Sequence, residues 1–404
     1  MKPVLICLLI PVILSACALQ RKTTTPQSLN PTSTIIEITE ERITPSATLI
    51  TNIEASPSPT SIISSTPSPT QKPIETAQIS ATPLPLTNTP TPFLPAGLSA
   101  IQPENITNLQ QIAEIPVQEI YQLAVSPAGN YVATLSEHWE DRSRYMQVWD
   151  LNTGTQVYQQ ENMDIPWGLF FLPDKTSLAV LFPKDAPQIR IYDLSSAEIV
   201  RTLNIPFNVG ALSPDGELFA AGSIAEDGES STITFYDFAT GQESAALKSV
   251  GQVMVLTISP DGKQLVAGFQ TNNNFRLKVW NITSMALITE LVNYSNPVYA
   301  LQGNLAASQR EGKIHLFDPA GWVLRNSFDD MDEYGNGKPR SFSIDGHILI
   351  GSDTYSTVFW EPATGQEIFA LPDYGYGIFS PSGNIVLTWC YQCNLAVWGI
   401  TPDH

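Results

Sequence analysis

The chain has 404 residues, and its 39 Asp and Glu against 20 Lys and Arg give a formal net charge of −19. Phosphate backbones repel so acidic a chain, which argues against a nucleic-acid partner. Charged residues are only 15%, Pro reaches 32, and there are four His and four Cys, a composition unlike a coiled coil, a histidine-rich metalloenzyme or a disulfide scaffold. The N-terminus opens on Met1-Lys2-Pro3, a short basic start, followed by an apolar run of 11 residues from Val4 to Leu14. A bilayer-spanning helix needs about 20 apolar residues, so this run fits the hydrophobic region of a secretory signal instead.

The run ends in Leu14-Ser15-Ala16-Cys17, an aliphatic residue, two small residues and a cysteine. This resembles the bacterial lipobox. The resemblance implies that residues 1–16 are a signal peptide removed on processing and that the Cys17 thiol is acylated. The chain would then be held at the extracytoplasmic side of the cell membrane, or of an outer membrane where the host has one. Ala18 follows, so the Asp that retains lipoproteins at the inner membrane is missing. A plain signal peptide with an incidental cysteine is the alternative.

Residues 17–102 read as a disordered tether. Of the 76 residues from Thr23 to Leu98, 40 are Thr, Ser or Pro, in segments such as Ser56-Pro57-Ser58-Pro59-Thr60. Such a segment buries too little apolar surface to offset the entropy of ordering it. Polyproline-like extension of about 3.1 Å per residue would lift a folded unit away from a membrane surface.

Residues 103–404 repeat. An apolar–aromatic pair followed by a short polar residue recurs as Val148-Trp149-Asp150, Ile191-Tyr192-Asp193, Phe235-Tyr236-Asp237, Val279-Trp280-Asn281, Leu316-Phe317-Asp318, Phe359-Trp360-Glu361 and Val397-Trp398-Gly399, at spacings of 37 to 44 residues. About half a period before each lies a turn, for example Ser213-Pro214-Asp215-Gly216 or Ser259-Pro260-Asp261-Gly262; the fifth repeat keeps only Gly303-Asn304. Pro presets φ in such turns and Gly accepts φ > 0. Between the turns lie short apolar or alternating runs that read as strands, four to a repeat.

Seven such units in register resemble the WD40 class of β-propellers, over roughly residues 109–400, with turns closer to its bacterial branch. The fold expected is all-β: a seven-bladed propeller of four-stranded antiparallel blades. The Gly-His pair of eukaryotic repeats is missing, since none of His138, His315, His347 and His404 occupies its place. The seventh repeat stops too soon for a fourth strand, whereas residues 109–116 resemble the fourth strands elsewhere. They are expected to close the ring, and a chain starting at Pro103 is expected to retain the whole propeller.

Propeller chemistry would sit at the axis, where the innermost strands converge. Those strands, ending just before the Ser-Pro turns, contain Glu119, Lys338 and Arg340 as their charged residues, with no His, Asp or Cys. That set supplies neither converging metal ligands nor a carboxylate pair for a glycosidase. No catalytic residue, metal or cofactor is therefore expected. Cys390-Tyr391-Gln392-Cys393 sits at a predicted hairpin tip, where a local disulfide is expected outside the cytoplasm and two packed thiols are the alternative. Asp329-Asp330-Met331-Asp332-Glu333 reads as a solvated acidic loop, with Ca²⁺ as the other possibility.

Residues 119–404 carry 32 acids and 15 bases. Aromatics fall where loops should open on one face: Trp139, Trp167, Phe207, Tyr374 and Tyr376. Aromatics in a polar rim are typical of protein or glycan recognition. The expected function is a monomeric, membrane-anchored, extracytoplasmic binding or scaffold module. An enzyme acting on a glycan or lactone through loop residues, and a purely structural envelope protein, stand as alternatives.

Overall fold

The computed structural model describes residues 92–402, apart from 162, 175, 184–185, 272–273, 330–337 and 353–355. Cys17, the signal segment and most of the proposed tether lie outside the described residues. The fold is seven four-stranded antiparallel sheets, with a single 3-10 turn at Ile106–Asn108 as the helical element among the described residues. Blade one runs Ile120–Val125, Tyr131–Glu137, Arg144–Asp150 and Thr155–Glu161 from the axis outward. Blades two to six repeat this order, and innermost strands of neighbouring blades meet around the axis, as in blades one and two, three and four, and five to seven.

The second strand of each blade is buried at most positions without alternation. Ser177–Phe182 and Leu349–Ser352 are buried at every position. The outer strands are the reverse: Glu198–Leu203 shows mostly exposed side chains, which is why their sequence signal is weak. Apolar packing forms layers between blades. One layer joins Leu135, Met146 and Val148 of blade one to Leu178, Val180 and Phe182 of blade two.

The turn motif has a specific architecture. In Ser213-Pro214-Asp215-Gly216 the Gly216 N–H reaches Ser213 O at 2.9 Å, with Gly216 at φ 73°. The Ser213 hydroxyl accepts the Leu218 N–H at 2.9 Å and donates to Asp215 Oδ1 at 2.5 Å, while Asp215 Oδ1 also accepts the Glu217 N–H at 3.0 Å. Ser259/Asp261 and Ser343/Asp345 repeat the pattern. The fifth repeat keeps the backbone turn alone, with Gly303 N–H on Ala300 O at 2.8 Å. In the first six repeats the polar residue after the aromatic has a matching task. Asp237 Oδ1 accepts both the Thr240 N–H and its hydroxyl at 2.7 Å, and Asp193 does the same for Ser195.

These bonds make the turns acid-sensitive. The Ser213 hydroxyl and then the Glu217 N–H hold the Asp215 carboxyl below its ordinary value of 3.8. At Asp261 and Asp345 burial pushes the carboxyl upward, and hydrogen bonds, led by those from Ser259 and Ser343, more than offset it and leave it lowered. A carboxylate depressed in the folded state stabilises above its unfolded pKa and loses that contribution as pH falls through the folded one. The melting temperature should therefore drop on acidification below about pH 4. An Asp215→Asn, Asp261→Asn double variant should melt lower at pH 7 and show a flatter acid limb; parallel curves would separate the turns from the acid sensitivity.

Closure follows the expected route. Gln110–Ile115 pairs antiparallel with Leu395–Gly399 as the outer strand of blade seven, outside Ile385–Trp389 and Tyr376–Phe379. Its register shifts between Gln111 and Ala113, opposite Trp398 and Val397. The six other blades show the same shift opposite their apolar–aromatic pair, for example at Val148/Trp149 and Phe359/Trp360. Ile112 is thus the bulged residue of a true fourth strand.

Residues 92–102 correct the expected boundary between tether and propeller. Composition places them in the tether, yet they pack on the propeller. Ser99 bridges Ile400, the Ile101 N–H reaches Gly383 O at 3.1 Å, and Ile101 is 1% exposed. Phe93 donates its N–H to Asn152 O at 3.2 Å and its ring covers Gly154. Pro92 and Pro95 continue the Thr/Ser/Pro-rich composition into this stretch, while four apolar side chains, Phe93, Leu94, Leu98 and Ile101, do the packing.

Candidate partner-binding face

Strand direction alternates within a blade, so the loops divide between two faces. One face carries the second-to-third-strand loops and the crossings to the next blade. Trp139, Trp167, Phe207, Tyr374 and the Cys390–Cys393 segment all fall on it, and Tyr376 begins the innermost strand of blade seven beside them.

The structure does not gather the five aromatics into one patch. Trp139 is 59% exposed, at the tip of the blade-one loop. Trp167 is half-buried, with its N–H on Leu181 O at 2.8 Å and its carbonyl accepting the Gln122 amide at 3.1 Å. Phe207 is only 3% exposed and meets Phe219 edge-on at 5.6 Å, so its assignment to the rim is corrected: it is packing between blades two and three. Tyr374 meets the Trp398 ring edge-on at 5.5 Å, and Tyr376 stacks on Trp389 at 5.5 Å. Aromatics placed by loop position alone thus divide between core and surface, since an inter-blade layer takes any ring it can reach.

The exposed feature is a different pair. Tyr391, inside the C-x-x-C segment, is 56% exposed. Its carbonyl accepts the Glu119 N–H at 3.1 Å, and Glu119 Oε2 accepts the Trp139 N–H at 3.2 Å. Glu119 has a left-handed backbone (φ 55°), a conformation that costs on the order of 1 kcal/mol for a non-glycine residue. It joins the blade-one loop to the blade-seven loop. The Cys390 and Cys393 sulfurs are bonded, with Cα atoms 5.0 Å apart, and Cys393 Sγ lies 3.5 Å from Asp373 O. In the sequence Tyr391 stands out only as part of a C-x-x-C segment, because its exposure depends on the loops around it.

The blade-one loop is held from beneath. Glu137 is buried and bonds Arg142 at 3.1 Å and Arg144 at 3.0 Å. The Ser143 hydroxyl and N–H both bond Asp141 and lower its pKa. Trp139 is therefore displayed by a braced loop rather than a slack one, which lowers the entropy lost on binding.

Lys338 and Arg340 open the innermost strand of blade six. The Arg340 guanidinium lies 5.0 Å over the Tyr376 ring and donates Nε–H to Ser352 Oγ at 2.6 Å. Burial, then the charge of Arg340, lowers the Lys338 amine from 10.5 to about 8. Among the described residues no group of three or more His, Cys, Asp or Glu could hold a metal ion. Asp329 pairs with Lys313 at 2.5 Å, while residues 330–333 of the acidic loop lie outside the described residues. No helix among the described residues is long and apolar enough to cross a membrane.

No protein-family model and no curated protein matches the chain. Solved structures do. The β-propeller domain of Cps50 (Swd1) from Myceliophteria thermophila superposes with a TM-score of 0.56 at 15% identity, covering 72% of this chain and all of that one. Hydrazine synthase from Kuenenia stuttgartiensis gives a TM-score of 0.56 at 15% identity, over 69% of this chain and 94% of that chain. At this identity the likeness concerns the fold, and the fold defines the chain as a seven-bladed β-propeller. One neighbour is named as a propeller domain and the other as an enzyme, so fold likeness leaves function to the site.

Proposed function

We propose that the chain is a WD40-like lipoprotein of the bacterial cell envelope, a non-catalytic binding module that presents its loop face to a protein or glycan partner. The observation that carries this reading is the pairing of Trp139 and Tyr391, two large exposed aromatics on neighbouring loops cross-linked through Glu119. Exposed aromatic anchors on rigid supports are the usual energetic centre of recognition surfaces. Anchoring rests on Leu14-Ser15-Ala16-Cys17, and the Thr/Ser/Pro-rich segment would give the face its reach.

Two measurements test the two halves. The Cys17→Ala chain should leave the membrane fraction or stay unprocessed, and an unmodified mature Cys17 in intact-mass data would refute the anchor. For the face, the full chain is used for affinity capture from native membranes. Trp139→Ala and Tyr391→Ala should each lose a partner that Lys263→Ala, on the opposite face, retains. Equal capture by all three would overturn the assignment of the face.

A further inference from the structure

As a rule the described cations of the propeller pair with carboxylates, although Arg201 and Lys248 form no such pair. Arg142 and Arg144 share Glu137, and Arg276 and Lys278 share Glu290. Lys338 and Arg340 break this rule, although they lie in a chain with nearly twice as many acids as bases. Neither meets a carboxylate among the described residues, and each is the other's neighbour. Both are half-buried. Lys338 faces the buried Ser352 across the ladder, and the Arg340 Nε–H is given to the same Ser352. Beneath the guanidinium lies Tyr376, backed in turn by Trp389.

Two like charges drawn out of water without a counter-ion repel each other and lose hydration. The fold nevertheless fixes Arg340 by a ring below and a hydroxyl at Nε, while its two Nη groups make no carboxylate contact. A guanidinium held this way offers a preorganised fork whose geometry matches an oxyanion, and a neighbouring ammonium adds a point charge. We infer that the axial end of blades six and seven is a binding site for one oxyanionic group, a carboxylate, sulfate or phosphate, held between Lys338 and Arg340. Its counter-charge would relieve the repulsion within the pair. Capture of an anion here requires no partner on the Trp139–Tyr391 surface, so the two readings fail separately.

The test uses the full-length chain and three probes: sodium sulfate, inorganic phosphate and sodium glucuronate. Each is titrated by calorimetry and thermal shift at constant ionic strength set with chloride. At least one probe should bind at one site per chain and raise the melting temperature. Preference for glucuronate would assign a trigonal carboxylate, and preference for sulfate or phosphate a tetrahedral group. Arg340→Gln and Lys338→Gln should each weaken binding by about tenfold or more, the scale of losing one charge-assisted hydrogen bond. Arg340→Gln disturbs a packed side chain and can unfold the blade; Lys338→Gln removes a charge at the strand end and keeps the test sharp. Absence of saturable binding for all three probes, or binding unchanged in a folded Lys338→Gln chain, would overturn the site.

Discussion

A chain truncated to begin at Val117 is expected to melt far below the full propeller, or to aggregate. Removal of Gln110–Ile115 strips the ladder from Leu395–Gly399 and exposes it as a sheet edge. Several backbone hydrogen bonds are lost at a net ~1 kcal/mol each. The burial of Leu109 and Ile115, packed in the layers flanking blade seven, is lost as well, at about 1.5–3 kcal/mol per side chain. The total rivals the ~5–15 kcal/mol that holds a typical domain together. A chain beginning at Pro103 should lose a smaller amount, because it gives up the Ser99 bridge to Ile400 and the buried Ile101. Thermal unfolding followed by circular dichroism gives the order: full chain, then Pro103, then Val117. If the Val117 chain melts with the full chain, the ring closes without this strand.

Replacement of Trp360 by alanine should cost about 3–5 kcal/mol, the range for a large buried aromatic. Its ring is fully buried between blades five and six, among Leu316, Phe328 and Leu349, with Phe328 at 6.0 Å. The ring also lies directly over Gly351 in the adjacent strand, and a Cβ built on Gly351 would collide with Trp360 Cζ3 and Cη2. Gly351→Ala should therefore destabilise by overpacking, by about 1–3 kcal/mol. The two changes occupy the same space, so they should not add. The Gly351→Ala, Trp360→Ala double variant should lose less than the sum of the singles, since the new methyl enters the vacated volume. Chemical denaturation of the four chains measures the coupling, and simple additivity would show that the glycine is kept for another reason.

Legibility in the sequence followed how local each cause was. The seven apolar–aromatic signatures could be read because each blade needs the same ring in the same layer, which imposes a period on the chain. The Ser-x-Asp-Gly turns could be located by Pro and Gly, but the purpose of Ser and Asp emerged only with their bonds to the Leu218 and Glu217 N–H groups. The fourth strand of blade seven was visible as a likeness to other outer strands, and its shared bulge at Ile112 makes the equivalence physical. Misreadings arose where a residue's fate depends on what lies across a gap. Phe207 sits in a connecting segment and looks available, yet Phe219 of the next blade covers it.

The sequence alone determined the number of blades, the four-strand unit, the placement of the turns and the closing strand. Those are properties of a repeating local pattern, in which each turn and each ring satisfies nearest neighbours along the chain. Tertiary structure decided the packing of residues 92–102 on the propeller, the split of the aromatics between core and surface, the Trp139–Tyr391 pair and the placement of Lys338 beside Arg340. Each of these depends on contacts between different blades or between the two ends of the chain, as where Tyr376 of blade seven lies under Arg340 of blade six. Their energies arise from burial and charge proximity across 36 residues between Arg340 and Tyr376 and 252 between Trp139 and Tyr391, separations over which a sequence carries no distance information.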